Sequence, residues 1–270
     1  MESESATATP GAPQGLRPSV RVRLFLIGIA AGLVNGLLSI GGGILIVPGL
    51  IFLRNVSVRV ATSTSLAAVL LMSIVAMAVH IYISGFSMSL EGSVVLILAG
   101  MASAQVGGWL LNHLPQRWIF LAFAALSLLS AAHLMGVAFD LAPPISRGEP
   151  PLWSYLLIGG LSGVISGLLG VGGGGIAVMG FSIGFHTPVL GGLPMALALN
   201  VCNSLSGVLA QARKGNILWG DVFRLFPASL VGIAAGVALA VWLSPNALRV
   251  AFAVFFLLIG AMMSKRGWRK

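Results

Sequence analysis

The sequence predicts an all-α polytopic membrane protein made of two tandem repeats. The chain has 270 residues, of which 57% are hydrophobic and 8% are charged, whereas a soluble domain is about 45–50% apolar and about 25% charged. Asp, Glu, Lys and Arg are absent from five long stretches, residues 24–53, 60–90, 92–116, 118–139 and 150–212. One membrane crossing needs about 20 apolar residues. Uncharged stretches of at least this length indicate membrane spans, so a soluble fold is excluded.

The two ends of the chain carry much of the positive charge. Residues 1–20 are rich in Pro, Gly, Ser and Thr and are predicted to form a disordered cytoplasmic tail. Basic residues cluster before the first apolar run (Arg17, Arg21, Arg23) and after the last (Lys265, Arg266, Arg269, Lys270). Such clusters mark the cytoplasmic ends of membrane spans. The net charge of +9 therefore indicates orientation in a membrane rather than nucleic-acid binding, and both termini are expected to be cytoplasmic.

An internal repeat divides the chain into two halves. IGIAAGLVNGLLSIGGGILIVPG at residues 27–49 aligns without gaps on IGGLSGVISGLLGVGGGGIAVMG at residues 158–180, with 11 identities in 23 positions. We therefore predict a first transmembrane repeat over residues 21–138, a linker over residues 139–151 and a second repeat over residues 152–270. The linker carries prolines and charges that suit an extramembrane segment.

Each repeat consists of an apolar run broken by glycines and three further spans, giving 8 to 10 membrane segments. The further spans are predicted at residues 61–83, 92–112, 117–138, 194–212, 223–243 and 246–264. If each broken run doubles back, the repeats are inverted and two basic residues, Arg147 and Arg249, lie outside. If it crosses once, four lie outside (Arg54, Arg59, Arg117, Arg249). The positive-inside rule favours the inverted arrangement.

Consecutive glycines interrupt both broken runs and are the first candidate substrate-binding residues: Gly41, Gly42 and Gly43, and Gly172, Gly173, Gly174 and Gly175. Each costs about 1 kcal/mol relative to Ala inside a helix. The helix that resumes after a break starts with free N–H groups that suit an anion, and paired broken segments are typical of a transporter's central site. The alternative is close helix packing, which we assign to Gly28, Gly32 and Gly36 and their counterparts Gly159, Gly163 and Gly167.

The sequence resembles the TauE/SafE family of membrane permeases, also called sulfite exporters. The resemblance rests on GLLSIGGGILIVPGLIFL (36–53) followed by VATSTSLAAVLL (60–71), and on GLLGVGGGGIAVMG (167–180) followed by NVCNSLSGVLAQARKGNILW (200–219). It implies export or uptake of sulfite, sulfonates or related small organic anions across a bacterial inner membrane. It does not fix the substrate.

Polar residues inside the spans complete the candidate site. Thr62, Ser63, Thr64 and Ser65 open the second span and could donate hydrogen bonds to an oxyanion; the alternative is a helix N-cap followed by back-bonding hydroxyls. Asn200 and Asn203 share a helix face, with Gln211 further along, and could contact a ligand or join helices. His80 could couple protons to anion movement, or could simply pack at a span end.

All six carboxylates fall in the tail, the linker or the edges of spans, so the membrane interior is suited to an anion rather than a cation. We expect a transporter that exports a small oxyanion by alternating access between the repeats, without cofactor or metal. Its partners are the anionic substrate and the lipid bilayer, and a homodimer stays open. The alternatives are a passive anion channel, an intramembrane enzyme and a scaffold protein; no histidine has the partners that an enzyme's nucleophile would need.

Overall fold

Ten α-helices form the described part of the protein, and they confirm the predicted all-α fold. The computed structural model describes residues 18–84, 90–113, 115–139, 150–185 and 189–268, and contains no strand in these ranges. The helices are α1 (Pro18–Leu38), α2 (Gly43–Arg54), α3 (Val58–Ser84), α4 (Leu90–His113), α5 (Gln116–Ala138), α6 (Leu152–Leu169), α7 (Gly174–Phe185), α8 (Val189–Ala212), α9 (Trp219–Trp242) and α10 (Pro245–Trp268). Most of the predicted tail and linker lies outside the described residues.

Helix lengths separate membrane spans from shorter pieces. Within the described residues, seven helices are long and apolar enough to cross a membrane: α1, α3, α4, α6, α8, α9 and α10. By contrast, α2 and α7 have 12 residues each, about 18 Å at 1.5 Å per residue, against a hydrocarbon core of about 30 Å. Each predicted broken run is therefore one long helix followed by one short helix.

Long helices of the two halves pair with each other through glycine faces. Helix α1 packs on α9, and α6 packs on α4. A Cβ atom added to Gly28 would lie 2.6 Å from the carbonyl oxygen of Leu225, and one added to Gly36 would lie 2.6 Å from that of Ile233. On α6, the equivalent contacts join Gly159, Gly163 and Gly167 to Leu96, Gly100 and Ala104 of α4. The packing role predicted for these glycines is confirmed.

The central pair is α3 and α8, which occupy the same place in the two halves. Leu66 of α3 lies beside Gly207 of α8. Val69, which comes later on α3, and Asn200, which comes earlier on α8, both lie beside Gly172. The two helices therefore run antiparallel. Helices α5 and α10 form a further pair across the halves. The halves interlock in one bundle, with the glycine breaks at its centre.

Candidate functional site

Both glycine runs interrupt their helices, as predicted. Helix α1 ends at Leu38 and α2 begins at Gly43, while α6 ends at Leu169 and α7 begins at Gly174. The residues between include Gly41, Gly42, Gly172 and Gly173, with φ angles of 86°, 68°, 90° and 93°. Residues with a Cβ rarely adopt this left-handed backbone, so glycine is required there.

The two breaks contact each other directly. Ser65 Oγ of the first half donates a hydrogen bond to the carbonyl oxygen of Gly170 at 2.8 Å, and Gly41 lies against the carbonyl oxygen of Val171. Gly174, the first residue of α7, lies against the carbonyl oxygen of Ser39. The end of each long helix thus faces the start of the other half's short helix. Partial negative and partial positive helix ends meet, which is a favourable arrangement.

Asn200 joins the two breaks with one amide group. Its Oδ1 accepts from the backbone N–H of Gly174 at 2.5 Å, and its Nδ2 donates to the carbonyl oxygen of Ser39 at 2.8 Å. The side chain is fully buried. A buried amide with both ends bonded stabilises the protein's own backbone, so in this conformation both polar atoms of the Asn200 side chain are bonded to the backbone of the breaks. The prediction that the helix after the second break starts with free N–H groups is therefore wrong at Gly174.

Asn203 lies one turn further along α8 and also reaches the second break. Its Nδ2 donates to the carbonyl oxygen of Gly172 at 3.1 Å, while its Oδ1 is buried and has no hydrogen-bond partner in the described part of the chain. Both predicted amides therefore lie at the break, and both bind its backbone. The interpretation that they join helices accounts for most of their contacts.

Only one of the four predicted hydroxyls bonds to a glycine break. Helix α3 begins at Val58, one turn before the cluster, so the N-cap interpretation is wrong. Ser63 Oγ donates back to the carbonyl oxygen of Arg59 at 2.7 Å, as the alternative predicted. Thr64 Oγ1 accepts from the N–H of Leu218 at 3.0 Å. Thr62 lies beside Gly170, and Ser65 bonds to it.

Asn35 is a residue of the site that the sequence analysis missed. Its Oδ1 accepts from the N–H of Gly41 at 2.8 Å, and its Nδ2 lies 3.4 Å from Ser73 Oγ. It supports the first break much as Asn203 supports the second. Asn35 is fully buried; the signal in the sequence that could have found it is a polar amide inside an apolar run, six residues before the glycines.

His80 and Gln211 lie away from the breaks. The Nε2–H of His80 donates to the carbonyl oxygen of Gly36 at 2.7 Å; this carbonyl lacks a helical partner because α1 ends two residues later. Gln211 Oε1 accepts from Asn216 Nδ2 at 3.0 Å and holds the turn after α8. Both side chains serve helix ends, and neither hydrogen-bonds to a glycine run.

The described residues line one small cavity beside the breaks. A cavity of about 10 Å³ lies beside them, lined mainly by Ile40, Ile44, Ile165, Val171 and Phe256. A single water needs about 10–15 Å³, so an oxyanion of four or more heavy atoms does not fit.

A bundle of apolar helices, with a glycine-broken helix in each half and the breaks meeting at its centre, defines a multi-pass membrane protein of the transporter class. Residues 5–134 and 155–270 match the family described as sulfite exporter TauE/SafE. The chain belongs to this family, which confirms the resemblance.

Two curated relatives carry transporter names. The probable membrane transporter protein YunE of Bacillus subtilis is 23% identical over 271 residues, covering 91% of this chain and 98% of the relative. A probable membrane transporter protein of Methanocaldococcus jannaschii is 24% identical over 192 residues, covering 69% of this chain and 70% of the relative. With the family and the apolar helices, these names establish a membrane transporter.

Proposed function

We propose that this transporter exports a small sulfur or organic oxyanion, such as sulfite or a sulfonate, across the bacterial inner membrane. The observation that carries the proposal is that both short helices, α2 and α7, begin at the two glycine breaks, which contact each other at the centre of the bundle. Helix N-termini attract anions through their N–H groups and their dipoles. The N–H groups of Gly43 and Ile44 have no hydrogen-bond partner among the described residues.

The distribution of carboxylates supports an anion over a cation. The described residues contain two carboxylates, Glu91 and Asp221, and each lies in the first turn of its helix. The glycine breaks therefore meet in a region without negative side chains. A cation site at this depth would be expected to use at least one Asp or Glu.

Alternating access explains how an anion would pass the point where the two breaks contact each other. The breaks contact each other directly, so substrate enters only when one half moves against the other. The antiparallel course of α3 and α8 supports inverted repeats, because these helices occupy equivalent places in the two halves. Inversion also agrees with the distribution of basic residues. In the inverted arrangement, all of them except Arg147 and Arg249 would face the cytoplasm, and so would both termini.

Flux measurements on the purified protein in liposomes test this proposal. We expect sulfite or a sulfonate to cross faster than in protein-free vesicles, while potassium and glycerol do not. A membrane potential is worth about 2.3 kcal/mol per charge per 100 mV, roughly a fifty-fold gradient. An imposed potassium diffusion potential should therefore drive a monovalent anion out of the negative compartment.

Three outcomes would contradict the proposal. Folded protein that moves none of sulfite, sulfonates or carboxylates would exclude the oxyanion class. Anion flux that ignores the imposed potential would exclude export driven by voltage. Single-channel currents far above the turnover of a transporter would instead indicate a passive channel on the same scaffold.

A further inference from the structure

A buried carboxylate at one end of the bundle holds two arginines from different halves. Asp221 Oδ2 lies 2.9 Å from Arg54 Nε, and Asp221 Oδ1 lies 2.9 Å from Arg224 Nη1. Arg54 is the last residue of α2, whereas Asp221 and Arg224 lie at the start of α9. The side chain of Asp221 is 1% exposed. Since each carboxylate oxygen binds one guanidinium, the two arginines are fixed side by side.

Both arginines keep donors that no other described residue uses. A guanidinium has five N–H donors, and Asp221 is the only hydrogen-bond partner of either arginine in the described ranges. Their side chains are 28% and 43% exposed, respectively. Two positive charges against one negative charge leave a net positive pair with donors facing solvent, which suits the oxygens of an oxyanion.

Further basic residues lie at the same end of the bundle as Arg54 and Arg224. The Arg54–Asp221 ion pair brings the end of α2 to the start of α9, and the connection from α8 to α9 lies against α3, because the N–H of Leu218 donates to Thr64 Oγ1 at 3.0 Å. Arg59, Arg213 and Lys214 lie on or next to the connections from α2 to α3 and from α8 to α9 and are exposed. A positively charged entrance raises the local concentration of anions. The short helix α2 leads from Arg54 directly to Gly43 at the first break.

We propose that these two connections form an oxyanion-binding vestibule, in which Arg54 and Arg224 bind the transported anion and Asp221 is the positioning residue for both. The proposal rests on the oxyanion transport proposed above. If the two arginines only set the orientation of the protein in the membrane, their positive charge would be sufficient. A buried carboxylate that fixes two arginines of different halves would then not be needed. The shared chemistry is an oxyanion group, which a free substrate or the phosphate of a lipid headgroup could supply.

Arg224→Gln and Arg54→Gln test the vestibule, with Arg249→Gln as the matched control. Arg249 lies beyond the far end of α9 and bonds to the exposed Asn246. In liposomes of phosphatidylcholine alone, we expect the half-saturating sulfite concentration to rise about tenfold in both test variants, while the maximal rate stays within twofold. Arg224→Lys should recover only part of the loss, because lysine keeps the charge without the planar fork. The control should match the wild type.

The outcomes separate the vestibule from the proposed function. Normal sulfite flux with an unchanged half-saturating concentration in both Gln variants would overturn the vestibule alone. A wild type with neither sulfite flux nor thermal stabilisation by sulfite would overturn both proposals. In liposomes that also contain phosphatidylglycerol, stabilisation by this lipid that Arg224→Gln removes, without any effect on sulfite transport, would assign the arginines to a lipid headgroup and overturn their role in transport.

Discussion

At the scale of single residues, the amides of Asn200 and Asn203 bond to the backbone of the glycine breaks, which agrees with the second of the two roles that their sequence positions predicted. Asn200 was predicted either to contact a ligand or to join helices, and it bonds to Gly174 of its own half and to Ser39 of the other half. It occupies the N–H group that an oxyanion would need. For an anion to bind at the start of α7, the Asn200 amide would have to give up that hydrogen bond.

Replacing Asn200 tests its structural role. We expect Asn200→Ala to lower the apparent Tm by roughly 5 °C, because about 1–3 kcal/mol is lost for each buried group left unpaired. Asn246→Ala is the control, since Asn246 is exposed and its side chain bonds only to Arg249 among the described residues. Thermal unfolding in detergent measures both variants. Equal Tm values for the two variants would show that the Asn200 amide does not hold the breaks together.

At the scale of elements, the sequence was sufficient where the signal is local. Three or four consecutive glycines cannot continue a helix, so both breaks were predictable from Gly41–Gly43 and Gly172–Gly175 alone. Four-residue glycine spacing also predicted the packing faces of α1 and α6. The span predicted from residue 61 begins earlier, at Val58, because Ser57 caps the helix, with Ser57 Oγ 3.4 Å from the N–H of Val60.

Two adjacent glycines on α6 test the packing face. A Cβ at Gly159 would meet the carbonyl oxygen of Leu96 on α4, whereas one at Gly160 would meet nothing within 4 Å. We expect Gly159→Ala to lower the apparent Tm by several degrees as α4 and α6 separate. Gly160→Ala should leave it unchanged or raise it slightly, since Ala favours a helix by up to about 1 kcal/mol. A loss of Tm in Gly160→Ala as large as in Gly159→Ala would contradict the packing account.

At the scale of the whole molecule, contacts between the halves were beyond prediction from one sequence. The pairing of Arg54 with Asp221 joins residues 167 positions apart, and nothing in the local pattern of either residue indicates the other. Asp221 was assigned to a span edge, which is correct, but its ion pair with Arg54 of the other half was not predictable. Likewise, the repeat predicted equivalent breaks without indicating that they touch. Hydrophobic periodicity predicts which face of a helix is apolar, but it does not predict which other helix packs against that face.

The central claim is that the two halves move against each other to carry an oxyanion past the breaks, and a cross-link between α3 and α8 tests it most directly. Leu66 lies against Gly207, so Leu66→Cys and Gly207→Cys, introduced together with Cys202→Ala, would place two thiols across the halves without another cysteine. We predict that oxidation reduces sulfite flux in liposomes to that of protein-free vesicles and that reduction restores it, while each single-cysteine variant stays active. Flux that persists at full rate in the cross-linked protein would contradict the account.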